Sequence, residues 1–281
     1  MDATKCNERI AKDIGLSPVI SGVIKNTKYD ELLLNLEFYK THTSYLPFIG
    51  DNYDKSKILI IGESHYIGQT KDNEKYNLNY FENHWWNGTC QQLDNEYLNW
   101  YNTRKVISNY LNGDRRKGHL IFTNIVKSYS KIILNEEVEN IDLTESQKFN
   151  DLAFMNFFQM PSIYCGEKYW NSLKLSGNKS GNIKLAYDTW DKAVELSSKV
   201  LDYVIDILSP KLIVFTSVSA YNAYIISKSK YTDDKRIVNT PHPSSVWWNK
   251  ASKKNNGKTG KEIFEECLLG YKHLSSLEDK F

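Results

Sequence analysis

Cysteine is scarce in this chain and does not occur in pairs. The four cysteines among 281 residues are Cys6, Cys90, Cys165 and Cys267, and no Cys-x-x-Cys occurs. This spacing excludes a zinc ribbon and offers no disulfide framework. We therefore expect no metal site and a reducing, cytoplasmic environment.

Long apolar runs and a large excess of one charge are also absent. No apolar run approaches the roughly 20 residues that a membrane span requires, and Met1–Lys5 leads into a polar segment rather than a signal peptide. The formal net charge is only +2, so any nucleic-acid surface must be a local patch. The sequence therefore predicts no membrane partner.

The chain does contain enough apolar residues for a core, and many aromatic ones. The hydrophobic fraction is 41%, and the length fits one large α/β domain with insertions or two small domains. Nineteen Tyr and seven Trp residues stand out. Aromatic side chains usually belong to cores, but they also stack on nucleic-acid bases.

The most informative stretch runs from Lys57 to Tyr66. Its apolar run Ile58–Ile61, stopped by Gly62, is typical of a strand buried on both faces of a parallel sheet. Ligands of open α/β sheets bind beyond the carboxyl ends of such strands. Four polar side chains follow at that place: Glu63, Ser64, His65 and Tyr66. The same pattern also fits a turn in which Glu63 or Ser64 caps the next helix.

Strands and helices alternate along the rest of the chain. The later predicted strands are 152–160, 211–216 and 236–240, and the predicted helices are 29–39, 187–208, 219–227 and 262–274. Residues 119–134 fit either a strand or a helix. This alternation implies a three-layer α/β/α fold with a central, mostly parallel four-stranded sheet. We expect a single domain over 1–281, with a helical N-terminal extension over 1–50 and an insertion over 67–150.

Polar clusters at three predicted strand ends together resemble the uracil-DNA glycosylase superfamily. Gly62-Glu63 is similar to the Gly-Glu variant of that superfamily's first turn, and Tyr66 stands where another variant has tyrosine. The superfamily has an asparagine on its second strand, and its His-Pro-Ser loop is matched by His242–Ser244. The resemblance covers 57–66 and 152–248.

Two departures from the superfamily pattern matter. His65 replaces the proline of the first turn. The four cysteines lack the paired spacing of the iron–sulfur branch, so no cofactor is expected. The second motif is also open to two assignments, because Thr123–Lys127 resembles one branch while Asn156 has the expected place in the chain order. We favour Asn156 over Asn124.

The resemblance implies chemistry on a base that has been flipped out of the DNA. It implies that Glu63 positions or activates water and that His242 stabilises the negative charge on the departing base. It implies that Asn156 pairs with the Watson–Crick edge of a pyrimidine, which its carboxamide can do as donor and acceptor at once. The rest of the first turn would complete the base-binding site: Gly62, His65 and Tyr66.

The loop after the last predicted strand is the candidate DNA-contacting surface. Relatives place an apolar wedge after the His-Pro-Ser motif, and lysines meet phosphates. The candidate DNA-binding residues are Ser64, Ser244, Ser245, Val246, Trp247, Trp248, Lys250, Lys253 and Lys254. Other roles are open: Ser64 and His65 bracing their turn, the tryptophan pair anchoring its loop to the core, and the lysines forming a solvated loop.

The sequence thus predicts a monomeric, monofunctional DNA glycosylase that excises uracil or a modified pyrimidine from single- or double-stranded DNA. Aromatic residues in the insertion favour a larger modified base of the kind found in phage DNA, and hence a defence role. An insertion that only covers the sheet, and a repair role, stay open as alternatives. A catalytically silent nucleic-acid-binding module is the alternative. An esterase that uses Ser64 is disfavoured, because a nucleophile elbow requires a small residue where Tyr66 stands.

Overall fold

The computed structural model describes residues 27–65, 102–114, 119–160 and 183–278. Within these ranges a five-stranded sheet forms the centre of an α/β fold, which confirms the predicted class. The strands are β1 (Phe48–Ile49), β2 (Ile58–Gly62), β3 (Leu152–Asn156), β4 (Leu212–Phe215) and β5 (Ile237–Asn239). Their order is β1-β3-β2-β4-β5. Strands β2 to β5 are mutually parallel, and only β1 is antiparallel to its neighbour.

The described helices are α1 (Asp30–Leu33), α2 (Glu37–Thr41), α3 (Tyr53–Ser56), α4 (Thr103–Leu111), α5 (Leu120–Tyr129), α6 (Leu143–Ser146), α7 (Ile183–Leu208), α8 (Val218–Ser227) and α9 (Gly260–Glu278). A π-helical turn, Ser130–Leu134, continues α5, so the segment that fitted either a strand or a helix is helical.

The helices cover both faces of the sheet, which gives the expected three layers. Leu59 and Ile61 of β2 point to one face and belong to a core shared with α7 and α8. Ile58 and Ile60 point to the opposite face and pack with residues of α4, α5 and α9. Since side chains alternate along a strand, a strand that is apolar at every position must be covered on both faces.

The sheet has five strands and not the expected four. Strand β1, at Phe48–Ile49, lies inside the predicted N-terminal extension and adds a fifth strand, pairing with Phe154 and Ala153. Two residues are too short to produce a periodic pattern, so this strand leaves no signal in the sequence. The predicted helix 29–39 is also divided into α1 and α2.

Part of the predicted insertion lies outside the described residues. The described portion contains α4, α5 and α6 and packs on one face of the sheet. None of the described helices is long and apolar enough to cross a membrane.

A buried ion pair joins α1 to α4. Arg104 donates through Nη1 to Asp30 Oδ2 at 2.8 Å and through Nε to the Pro47 carbonyl at 3.0 Å. The side chains of Arg104 and Asp30 are each only 2% exposed. Burial of both charges is tolerated because the two groups pair and the guanidinium has a further acceptor.

We expect Arg104→Ala to destabilise the fold by about 3–5 kcal/mol, because it leaves the Asp30 charge buried without its partner. Urea unfolding measures this change. Lys199→Ala is the matched control, since it removes an ion pair with Glu195 whose side chains are 68% and 65% exposed. Its cost should stay near 0.5 kcal/mol or less. Equal costs for the two variants would contradict this account of the buried pair.

Candidate active site at the strand ends

The carboxyl ends of four parallel strands bring polar residues to one edge of the sheet. Glu63 follows β2, Asn156 ends β3, Ser217 follows β4, and His242 follows β5. The chain passes from β2 to β3 on one side and then crosses to β4 on the other side of β2. Such a reversal opens a crevice at the strand ends, which is the usual ligand site of open α/β sheets.

The Glu63 side chain is buried and is held by the start of α8. Glu63 is 8% exposed, and Ser217 Oγ donates to its Oε2 at 2.6 Å. The same hydroxyl accepts a hydrogen bond from the Ala220 backbone N–H at 3.2 Å as the N-cap of α8. Ser217 therefore links the Glu63 carboxylate to the first turn of α8.

Ser217 is a functional candidate that the sequence analysis missed. A serine near the start of a predicted helix is a typical N-cap signal, and Ser217 stands two positions before the predicted helix 219–227. Its contact with Glu63, however, spans 154 positions of the chain. A contact between residues so far apart in the chain leaves no pattern in the sequence around either residue.

The Asn156 carboxamide lies over Gly62. The two residues are paired across β2 and β3, and a Cβ added to Gly62 would stand 2.3 Å from Asn156 Oδ1 and 2.8 Å from Phe154 Cζ. Only glycine permits this close approach. Asn156 is 9% exposed, and among the described residues its carboxamide has no hydrogen-bond partner.

Asn124, the other candidate for the second motif, does not lie at a strand end. It is on α5, and its Nδ2 donates to the Pro243 carbonyl at 2.7 Å. Asn124 therefore holds the loop that carries His242, whereas Asn156 stands at a strand end. This placement favours Asn156 as the candidate base reader.

His242 is oriented by its own loop. Ser244 donates its backbone N–H to His242 Nδ1 at 3.2 Å, and Ser244 Oγ lies 2.9 Å from the same nitrogen. Because Nδ1 accepts, the proton of the neutral ring is on Nε2. Desolvation lowers the pKa of His242 below its usual 6.5, so the ring is a neutral Nε2–H donor at neutral pH.

The remainder of the first turn is packed into the protein. His65 is buried, with Nε2 2.9 Å from Thr103 Oγ1 at the start of α4 and its ring centroid 4.8 Å from that of Tyr45. Ser64 is also buried. These contacts agree with a bracing role for His65, while Tyr66 lies outside the described residues.

Two hydroxyl groups at the candidate site are buried and lack a protein partner within the described ranges. They are Ser64 Oγ on the first turn and Ser245 Oγ on the His242 loop. Leaving a buried hydroxyl unsatisfied costs free energy, so both are candidates to bind a polar ligand.

The predicted apolar wedge is only partly exposed. Trp248 is 1% exposed and packs on Phe264 with ring centroids 5.6 Å apart, so it is a core residue and not a DNA contact. Val246 and Trp247 are 67% and 46% exposed, respectively. Lys250 lies 5.9 Å from the Trp247 ring centroid, in cation–π contact. Lys253 and Lys254 are exposed beside this loop.

No family model, curated protein or solved structure matches this chain.

We expect Gly62→Ala to cost about 1–3 kcal/mol of stability, because the added methyl group would overlap the Asn156 carboxamide and Phe154. Gly270→Ala is the matched control, since a Cβ at this position in α9 meets nothing within 4 Å. That change should stabilise the protein by up to about 1 kcal/mol through helix propensity. Denaturant unfolding of both variants tests the close approach, and a stabilised Gly62→Ala protein would refute it.

Proposed function

We propose that the protein is a DNA glycosylase that hydrolyses the N-glycosidic bond of a flipped-out uracil or modified pyrimidine. The observation that carries this proposal is the set of groups at one sheet edge. They are a carboxylate held by a helix N-cap, a carboxamide that none of the described residues hydrogen-bonds, and a neutral imidazole with its proton on Nε2. The resemblance in motif order to the uracil-DNA glycosylase superfamily supports the same assignment.

Glu63 has the chemistry needed at the sugar. Cleavage of an N-glycosidic bond develops positive charge on the sugar and requires a water molecule on the face opposite the base, as in other glycoside hydrolyses. A carboxylate positions that water and stabilises the charge. The hydrogen bond from Ser217 fixes the orientation of Glu63, so that little reorganisation is needed during the reaction.

His242 has the chemistry needed at the departing base. A pyrimidine leaves with negative charge on O2, and a preorganised donor at that oxygen contributes about 10²–10³ in rate. The Nε2–H of the neutral ring is such a donor, and Asn124 and Ser244 hold its loop in place.

The exposed part of the same loop supplies a surface for DNA. Trp247 and Val246 project where an apolar wedge can enter the base stack and hold the vacated space. Lys250, Lys253 and Lys254 follow them and can neutralise phosphates. An enzyme of this kind that acts on modified phage DNA would serve host defence, as a cytoplasmic monomer.

The decisive experiment is to search for free base by mass spectrometry after incubation with defined DNA. We expect the wild-type protein to release uracil or a 5-substituted pyrimidine, because the carboxylate supports hydrolysis. Glu63→Gln should release none, while its DNA affinity stays within a few-fold of that of the wild type.

Glu195→Gln is the control for this experiment, since it changes a glutamate on α7 whose side chain is 65% exposed. It should retain full activity. Wild-type turnover by Glu63→Gln would exclude the assigned role of Glu63. DNA binding without base release by any form would instead identify a silent binding module.

We expect His242→Ala to lower the single-turnover rate by about 10²–10³, because the donor at O2 is lost.

The lowered pKa of His242 predicts how the stability of the protein depends on pH, which is a second measurement. The unfolded chain binds a proton near pH 6.5, whereas folded His242 resists protonation until a lower pH. Stability should therefore fall as the pH drops below about 6.5, and His242→Ala should reduce this dependence. A rate loss below tenfold would make His242 a structural residue.

A further inference from the structure

We infer that the site accepts both 4-keto and 4-amino pyrimidines, that is, uracil-type and cytosine-type bases. This inference rests on the proposed function and extends it to the class of base. The structural basis is that the described residues fix the position of the Asn156 carboxamide but not which end of it is the donor.

The position of Asn156 is well determined. It is the last residue of β3, in register with Gly62, and its backbone carbonyl accepts from Gln159 Nε2 at 2.6 Å. Asn156 is 9% exposed, and its carboxamide lies against Gly62 and Phe154, neither of which offers a side-chain donor or acceptor.

Other asparagines of the described chain show how an amide is assigned when the protein fixes it. Asn124 donates through Nδ2 to a carbonyl at 2.7 Å, and Asn102 accepts through Oδ1 from the Lys105 N–H at 2.8 Å. In each case a half-turn of the amide would break that hydrogen bond. For Asn156, the described residues impose no such cost.

A half-turn of the amide exchanges one hydrogen-bonding pattern for the other. Uracil presents an N3–H donor and an O4 acceptor, whereas cytosine presents an N3 acceptor and an N4 amino donor. A carboxamide matches either edge with two hydrogen bonds if it is able to turn. Its terminal torsion is broad and roughly two-fold, so both orientations are accessible without steric strain.

The other groups at the site do not distinguish the two bases. O2 is common to both pyrimidines, so the Nε2–H of His242 serves either one. The proposed function assigns Glu63, which Ser217 orients, to the sugar and not to the edge that differs. A site with a fixed amide would reject the wrong edge strongly, by about 10⁴–10⁵, because buried polar groups would be left unpaired.

The test measures binding in the Glu63→Gln protein, so that the poorer leaving ability of cytosine does not obscure recognition. The probes are single-stranded oligonucleotides of adenine with one central uracil, cytosine or adenine, and fluorescence anisotropy gives the Kd. Single strands remove the different costs of opening the two base pairs. We expect the uracil and cytosine probes to bind within about threefold of each other and at least tenfold more tightly than the adenine probe.

Adding Asn156→Ala to this background should abolish the preference for both pyrimidines together. Asn156→Leu, which fills the same space, should do the same and provides a second variant if the alanine protein does not fold. Loss of preference for only one pyrimidine would contradict the inference.

A parallel assay of uracil release by the wild-type protein distinguishes failure of this inference from failure of the proposed function. Uracil release combined with a cytosine probe bound more than about 100-fold more weakly than the uracil probe would overturn the inference and leave the glycosylase assignment intact. Equal binding of all three probes would show that Asn156 reads no base. Absence of any base release would overturn the proposed function itself.

Discussion

The arrangement at the strand ends depends on the close approach of β2 and β3 at Gly62 and Asn156. A side chain at position 62 would occupy the space of the Asn156 carboxamide, since the added Cβ would lie only 2.3 Å from Oδ1. Glycine therefore allows a polar group to stand at the carboxyl end of β3 while the next residue, Glu63, points to the opposite face. Strand alternation therefore directs the carboxamide and the carboxylate to opposite faces of the sheet at its carboxyl edge.

Helix α8 connects this arrangement to the electrostatics of the site. The hydroxyl of Ser217 accepts from the first turn of the helix and donates to Glu63, so one side chain caps the helix and orients the carboxylate. His242 is oriented by hydrogen bonds within its own loop, and desolvation keeps its ring neutral. A carboxylate oriented by Ser217 and a neutral imidazole donor thus stand at the carboxyl edge of the sheet.

Much of this organisation could be predicted from the sequence, and the exceptions have physical causes. Strands β2 and β4 were predictable because burial on both faces requires continuous apolar runs. Asn156 could be assigned to the second motif because it precedes the long helix α7 in the chain. The role of Asn124 in holding the Pro243 carbonyl, and of Ser217 in holding Glu63, could not be predicted, because both contacts join distant parts of the chain. Trp248 and Trp247 are adjacent in sequence, yet only the fold decides that the first is buried and the second exposed.

The buried ion pair has a consequence for the minimum size of a working domain. Arg104 stands beside Thr103, whose hydroxyl contacts His65, and the charge of Arg104 is balanced by Asp30 near the start of the described chain. The turn that carries Glu63 is thus supported by residues that precede the sheet. A shortened protein that began at β1 would retain every candidate catalytic group and every parallel strand, but it would contain an uncompensated cation next to the residue that braces the turn. The smallest fragment able to preserve the site must therefore include Asp30.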